Sequence, residues 1–196
     1  MGKGAQTRET ILDLASRRAA VVGLEGVTFG DLARELSLSK SGLYAHFRSK
    51  EALQVEVLDR EAGVFTDSVV RVALKAPRGE PRVRALFDGW LGWMHSKKDT
   101  GCLFAAAAGE LDDRPGPVRD RLVEQQRDLD ELFVGVVRTA INEGAFRADL
   151  DPEQFTFEAH GMILIFHHDS RLLESAQALQ RARRGFDRLV DDAQAR

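Results

Sequence analysis

Thr28-Phe29-Gly30-Asp31-Leu32-Ala33-Arg34-Glu35-Leu36-Ser37-Leu38-Ser39-Lys40-Ser41-Gly42-Leu43-Tyr44-Ala45-His46-Phe47 reads as two short helices joined by a tight turn. Thr28 can cap the first helix through its hydroxyl, with Asp31 reaching back from three residues on; Leu32, Ala33 and Leu36 then share one apolar face. Ser39 caps again, so Ser37-Leu38 is a connector of the length that holds two helices crosswise in a helix-turn-helix. In the second helix Leu43 and Phe47, four apart, form the inner anchor, and Lys40, Ser41, Gly42, Tyr44 and His46 are left to point elsewhere.

Those outward residues suit the major groove. Gly42 offers no bulk, so backbone can approach a base edge; Lys40 can donate to guanine or to phosphate; Tyr44 and His46 can donate to phosphate oxygens. Ser49 caps a third helix that begins at Lys50, whose free N–H groups and positive dipole end favour an anion. Gly30, inside a helix, costs roughly 1 kcal/mol against Ala and is read either as a close-approach point or as a plain flaw.

Working outward, Arg8, Ile11-Leu12, Ala15, Gly23, Thr28, Leu32-Ala33, Leu38-Ser39, Gly42, Leu43-Tyr44, His46-Phe47, Ser49-Lys50-Glu51 and Leu53 stand in register over about 50 residues. On this pattern the chain resembles the N-terminal domain of TetR/AcrR-family transcriptional regulators. The resemblance implies that Thr28, Lys40, Ser41, Tyr44, His46 and Lys50 contact operator DNA, mostly at phosphates. Ser39 and Gly42 join them as the cap and the open position of the second helix. One departure is plain: Arg17-Arg18-Ala19 stands where the family has a bulky apolar pair. Either Val21, Val22 and Leu24 compensate, or the three-helix core is thinner.

Charge is divided in the expected direction. The net charge is −3, but residues 1–50 hold eight Lys/Arg against five Asp/Glu, +3, leaving −6 for the rest. A basic head on an acidic body suits a DNA partner. The start, Met1-Gly2-Lys3-Gly4 with Arg8, is read as a disordered tail or as an arm touching phosphate or the minor groove.

Cys102 is the only cysteine, which excludes an intrachain disulfide and a Cys-based zinc site; it is read as half-buried packing or as a redox sensor. Apolar runs such as Met162–Phe166 are far short of the roughly 18 residues of a membrane span. A cytoplasmic protein with no membrane partner, no cofactor and no metal is expected.

Every periodic segment beyond the head is helical. A long helix from Lys50 to about Leu74 ends at the Ala76–Pro81 breaker, and Val83, Leu86, Phe87, Trp90, Leu91 and Met94 form the next apolar stripe. Ser96–Gly101 interrupts it before a short helix, Leu103–Leu111. Pro117 opens a helix that Gly144 ends, and Asp151-Pro152 opens another. The expected fold is all-α: a helix-turn-helix domain over 5–65 (motif about 28–47) joined by the long helix to a helical domain over 66–196.

Residues 155–166, Phe-Thr-Phe-Glu-Ala-His-Gly-Met-Ile-Leu-Ile-Phe, are apolar nearly all round in their later turns, which predicts burial on two sides. Met162, Ile163, Ile165 and Phe166, with Leu179, Ala182, Phe186 and Leu189 of the final helix, are the expected homodimer interface. Two heads on a two-fold axis match a palindromic operator in double-stranded DNA. The resemblance implies a sensor body, and Trp90, Trp93, Met94, Phe104, Phe133, Phe157, His160 and Phe166 would suit a hydrophobic or aromatic small-molecule effector, each serving equally as plain core.

Enzymes fare poorly against this sequence. There is no Gly-x-Ser-x-Gly elbow, no His-Glu-x-x-His and no Gly-rich phosphate loop. His167 and His168 are about 100° apart on a helix, and His160 lies two turns from His168, so no pair converges on one ion. The reading is a ligand-responsive homodimeric repressor; an activator of the same fold, or a helical interaction module without DNA binding, is the alternative.

Overall fold

The computed structural model describes residues 2–97 and 100–195, with the Lys3 side chain excepted. Met1, the Lys3 side chain and Lys98-Asp99 of the expected Ser96–Gly101 break lie outside the described residues. Among the described residues ten α-helices follow in order: α1 Lys3–Val22, α2 Phe29–Glu35, α3 Lys40–His46, α4 Lys50–Phe65, α5 Arg71–Ala73, α6 Glu80–Ser96, α7 Leu103–Leu111, α8 Pro117–Asn142, α9 Pro152–Arg171 and α10 Ala178–Ala193. The all-α expectation holds: among the described residues the only extended pairing is an isolated bridge between Phe146 and Gln194. None of these helices is long and apolar enough to cross a membrane.

Local chemistry explains the helix ends. Thr28 and Ser39 cap α2 and α3, their hydroxyls accepting from Asp31 and Gly42 N–H. Asp151 caps α9 through Glu153 and Gln154 N–H, with Pro152 at its first position. Gly79 and Gly144, at φ 83° and 72°, make the reversals beside α6 and α8 that a residue with a Cβ resists.

The expected helix from Lys50 to about Leu74 is continuous but not uniformly α. Thr66–Val70 forms a π-helical turn between α4 and α5, and the flanking Phe65 and Arg71 keep right-handed helical angles. Val69 of this turn packs against Gly89 of α6, where an added Cβ would stand 3.1 Å from its side chain. The extra residue of a π turn leaves no mark on hydrophobic period over so short a stretch.

The chain forms two compact units, one drawn from Met1–Val64 and Thr100–Gln125, the other from Phe65–Asp99 and Gln126–Arg196. The first cut falls between Val64 and Phe65. The 66–196 range itself is divided, because α7 and the start of α8 share the head's core: Leu103, Ala107, Leu111, Val118 and Leu122 are buried in one cluster with Ile11, Leu32, Leu43, Phe47 and Leu58.

In the first unit the departure at Arg17-Arg18-Ala19 is resolved. Val21 and Val22 are 69% and 50% exposed and compensate for nothing, because α1 ends at Val22 and turns away at Gly23. Ala19 and Leu24 are buried instead, and Arg18 covers the remaining space with its half-buried side chain while donating to Glu35 Oε2 at 2.7 Å. An arginine stem thus replaces part of an apolar side chain.

The second unit is built on aromatic contacts. Phe87 of α6 stacks on Phe186 of α10 at 3.7 Å between centroids, Phe186 meets Phe155 of α9 edge-on, and Phe155 lies beside Phe133 and Phe146. Arg84 bridges Glu80 within α6 and Asp187 of α10 on the rim.

Candidate nucleic-acid interface

The turn between α2 and α3 is a Schellman motif. Leu38 N–H donates to Ala33 O at 2.9 Å and Ser37 N–H to Arg34 O at 3.4 Å, with Ser37 at φ 54° in the left-handed position usually taken by glycine. This tight exit seats α3 across α2, and Leu43, fully buried, with Phe47, 1% exposed, holds its inner side.

The outward side carries the residues expected there. Ser39, Lys40, Ser41 and Tyr44 are exposed and Gly42 and His46 partly so. The Ser39 and Ser41 hydroxyls lie 3.0 Å apart, and Ser39 Oγ accepts Gly42 N–H at 3.0 Å. A Cβ at Gly42 would stand 3.2 Å from that oxygen, so the bare Cα makes room for the cap as well as for an approaching groove. Tyr44, 58% exposed, is held edge-to-face against Phe29 of α2 at 4.6 Å. Lys40 lies over Gly30: an added Cβ would be 3.6 Å from Lys40 Cε and 3.7 Å from Thr28 Oγ1. Gly30 therefore floors the Lys40 side chain.

Thr28 is both cap and donor, giving its proton to Asp31 Oδ2 at 2.7 Å. That bond comes first, ahead of the Arg34 and Arg18 charges, in holding the Asp31 carboxyl below its ordinary range. At the next helix Ser49 Oγ accepts Ala52 N–H at 3.0 Å. Lys50 is engaged within the chain: its ammonium donates to Glu25 O at 2.7 Å and Glu25 Oε2 at 3.1 Å. Arg8 is likewise engaged, paired with Glu56 and lying over the Phe47 ring at 5.1 Å, and the residues after Gly2 are already helical.

The expected effector residues separate. Trp90, Trp93 and His160 come together: the Trp90 and His160 rings are 4.8 Å apart, Phe65 meets Trp90 and Trp93 at 6.1 and 5.6 Å, and Lys97 Nζ stands 4.4 Å over Trp93. His160 Nδ1 pairs with Asp130 at 3.0 Å, while Trp93 Nε1 is buried with no hydrogen-bond partner among the described residues. Met94, Phe133 and Phe166 are buried core. Phe104 packs against the first unit's core, and Phe157 is 74% exposed. Phe65 was missed because the sequence places it in the connecting helix. Cys102 is buried at the start of α7. No group of three metal-ligating side chains occurs among the described residues.

The expected interface residues divide too. Ile163, Phe166, Ala182 and Phe186 are at most 7% exposed within the chain's own fold. Met162, Leu179 and Leu189 are half-buried. The outer apolar face of α9 is instead Phe157, Leu164 and Ile165, at 74%, 51% and 55% exposure. A helix apolar all round carries no period from which to tell its inner face from its outer one.

A capped pair of short helices, crossed through a tight turn and presenting hydroxyls, a lysine and a tyrosine from a buried anchor, defines a helix-turn-helix DNA-binding protein. Comparison with known proteins gives the particular group. Residues 11–57 match the bacterial regulatory proteins, tetR family, and residues 79–186 match the tetracyclin repressor-like C-terminal domain. The chain belongs to the TetR family of transcriptional regulators, which are DNA-binding proteins and not enzymes.

It is 24% identical over 147 residues to the HTH-type transcriptional repressor KstR2 of Mycolicibacterium smegmatis, covering 75% of this chain and 71% of that one. Among solved structures, a TetR regulator from Chloroflexus aurantiacus superposes with a TM-score of 0.84 at 25% identity, over 97% of this chain and 96% of that one. AibR, solved with isovaleryl coenzyme A and operator DNA, superposes with a TM-score of 0.70 at 20% identity, over 93% and 95% of the two chains, a likeness of fold.

Proposed function

We propose that this regulator is a homodimeric repressor of the cytoplasm that binds a palindromic operator and is released by a small apolar or aromatic effector. The observation that carries the DNA reading is α3: a polar, exposed surface of Ser39, Lys40, Ser41, Gly42, Tyr44 and His46 on a helix anchored by Leu43 and Phe47. Lys40 reads a base or its phosphate, and Thr28, Tyr44, His46 and Lys50 take phosphates, Lys50 from its place beside Glu25.

The outer face of α9 supports the dimer. Phe157 and Leu164 lie two turns apart on one side of α9 with Ile165 beside Leu164, and a two-fold pairing of this face with its copy, flanked by Met162, Leu179 and Leu189, would remove it from water. The KstR2 relative is a transcriptional repressor, which favours repression here.

The effector site is read at Trp90, Trp93, Phe65 and His160. The AibR complex, which holds both a small molecule and an operator, supports a sensor of this fold. A ligand acts only through its different affinities for the bound and released arrangements, and a hundredfold release corresponds to about 2.7 kcal/mol. Trp90 and Trp93 are the only tryptophans in the chain, so intrinsic fluorescence tests the site directly. Titration with 1-anilinonaphthalene-8-sulfonate should quench it, and Trp93→Phe should halve the response; emission unmoved by this dye and by neutral naphthalene analogues contradicts the site.

The DNA reading is tested by anisotropy of a labelled duplex with a defined palindrome at two salt concentrations. Two chains per duplex, with affinity falling steeply as salt rises, is expected. Binding that is no tighter than to random DNA would leave the head without a reading function.

A further inference from the structure

Two main-chain N–H groups of the α1–α2 turn are taken by one carboxylate from a helix far along the chain. Leu24 N–H donates to Glu110 Oε2 at 2.8 Å and Glu25 N–H to Glu110 Oε1 at 2.7 Å. The other side of the same dipeptide is held from α4: Gln54 Nε2 donates to Leu24 O at 3.0 Å and Lys50 Nζ to Glu25 O at 2.7 Å. Gln54 is 3% exposed, and together with Lys50 it also donates to the Glu25 carboxylate. Those two bonds, Gln54 first, hold the Glu25 carboxyl below its ordinary range.

The grip is a built feature. Gly23 turns at φ 79°, and a Cβ there would stand 2.9 Å from Glu110 Oε2, so the turn is bare where the carboxylate arrives. Ala107 and Leu111, buried on either side of Glu110, root α7 in the head's core. Hydrogen bonds from N–H to an ionised carboxylate are the stronger kind, and two of them fix a direction as well as a distance.

We propose that Glu110 is a positioning residue for DNA binding. It sets the place of Leu24-Glu25, and the Glu25 carbonyl and carboxylate in turn set the place of the Lys50 ammonium at the start of α4. Glu110 lies outside the matched head, 11–57, and inside the matched C-terminal domain, 79–186. Glu110 shares the compact unit of the reading head, so a residue beyond the matched head domain positions one inside it. Because such bonds fade beyond about 3.5 Å, a displacement of α7 by about 1 Å undoes the clamp. The inference rests on Lys50 as a phosphate contact.

The test is a double-mutant cycle on the full chain. Affinities of wild type, Glu110→Gln, Lys50→Ala and the double variant are measured for an operator duplex recovered by selection and for a random duplex, at two salt concentrations. Glu110→Gln turns an N–H donor toward N–H donors; it should cost about tenfold in affinity in the wild-type background and less than about twofold in the Lys50→Ala background. Lys50→Ala should lower the salt slope by about 1, and Glu110→Gln should do the same.

A merely structural role for Glu110 would cost the same in both backgrounds, and that result overturns the proposal, as does a silent Glu110→Gln. If Lys50→Ala alone changes neither affinity nor slope, the phosphate reading of Lys50 fails and the proposal fails with it; an effective Lys50→Ala beside an additive Glu110→Gln defeats the proposal alone. Should Glu110→Gln not fold, amide exchange in the wild-type protein decides. Leu24 and Glu25 should exchange slowly in the free chain and more slowly on DNA, and fast exchange at both contradicts the clamp.

Discussion

The Phe29 and Tyr44 rings meet edge to face, 4.6 Å between centroids and 88° between planes, and this contact joins the first helix of the reading motif to the exposed surface of the second. Phe29 is 8% exposed and Tyr44 58%, so one ring belongs to the core and the other stands on it. Tyr44→Phe keeps the contact and removes only the hydroxyl. It should leave the melting temperature within about a degree or two and weaken DNA several-fold, whereas Phe29→Ala should cost about 3–5 kcal/mol of stability. Thermal unfolding and anisotropy on the same samples check both. Equal DNA affinity for Tyr44→Phe and wild type would remove the hydroxyl from the interface.

Ser37 occupies a left-handed position at φ 54° without being glycine. Ser37→Gly should relieve that strain and stabilise the chain by up to about 1 kcal/mol. Gly30→Ala should add a similar amount through helix propensity, since its Cβ would meet Lys40 and Thr28 only at ordinary contact distances. Denaturant midpoints measure each, and a loss of stability in either would contradict the account of that turn.

The exposed side of α9 should carry the dimer. Phe157→Glu or Ile165→Glu leaves the chain's own core untouched and is expected to shift sedimentation from dimer to monomer. Ile163→Ala, two residues from Ile165 but 1% exposed, is expected to cost about 2–5 kcal/mol in stability instead. A dimer that survives both glutamate substitutions would place the interface elsewhere.

Acid should weaken the fold in two stages. Burial, then the charges of Arg171 and His168, hold the His167 imidazole below its ordinary 6.5. The unfolded chain takes up that proton first, so the contribution is whole above about pH 6.5 and is lost as pH falls through the lowered folded value. The Glu25 and Glu80 carboxyls lie below their ordinary 4.5, held by Gln54 and Lys50 in one case and chiefly by Arg84 in the other. Their contributions are present above that value and lost as pH falls through the lowered ones. His167→Gln should abolish the first stage in denaturant titrations and leave the second.

Much of this was legible because its causes are local. Thr28, Ser39, Pro117 and Asp151-Pro152 mark helix starts through side chains within three residues of the backbone they cap, and the observed helices begin at those marks. The outward character of Lys40, Ser41 and Tyr44 followed from the Leu43 and Phe47 anchor in the same way. What stayed hidden depends on residues far apart or on periods that do not exist. Glu110 meets Leu24 across 86 positions, and no pattern in either segment announces it. In α9, Ile163 and Ile165 are chemically alike and differ only in which side the fold covers. The bond between Lys50 and Glu25 was not legible either, because the α1–α2 turn brings Glu25 to Lys50 across 25 positions.

Selection of random duplex DNA by the purified protein, sequenced after several rounds and repeated at two salt concentrations, tests the central claim most directly. An enriched palindrome whose half-sites lie about one helical turn or slightly more apart is the predicted result, for two α3 helices related by a two-fold axis. A folded protein that enriches no sequence, or only a single half-site, would contradict it.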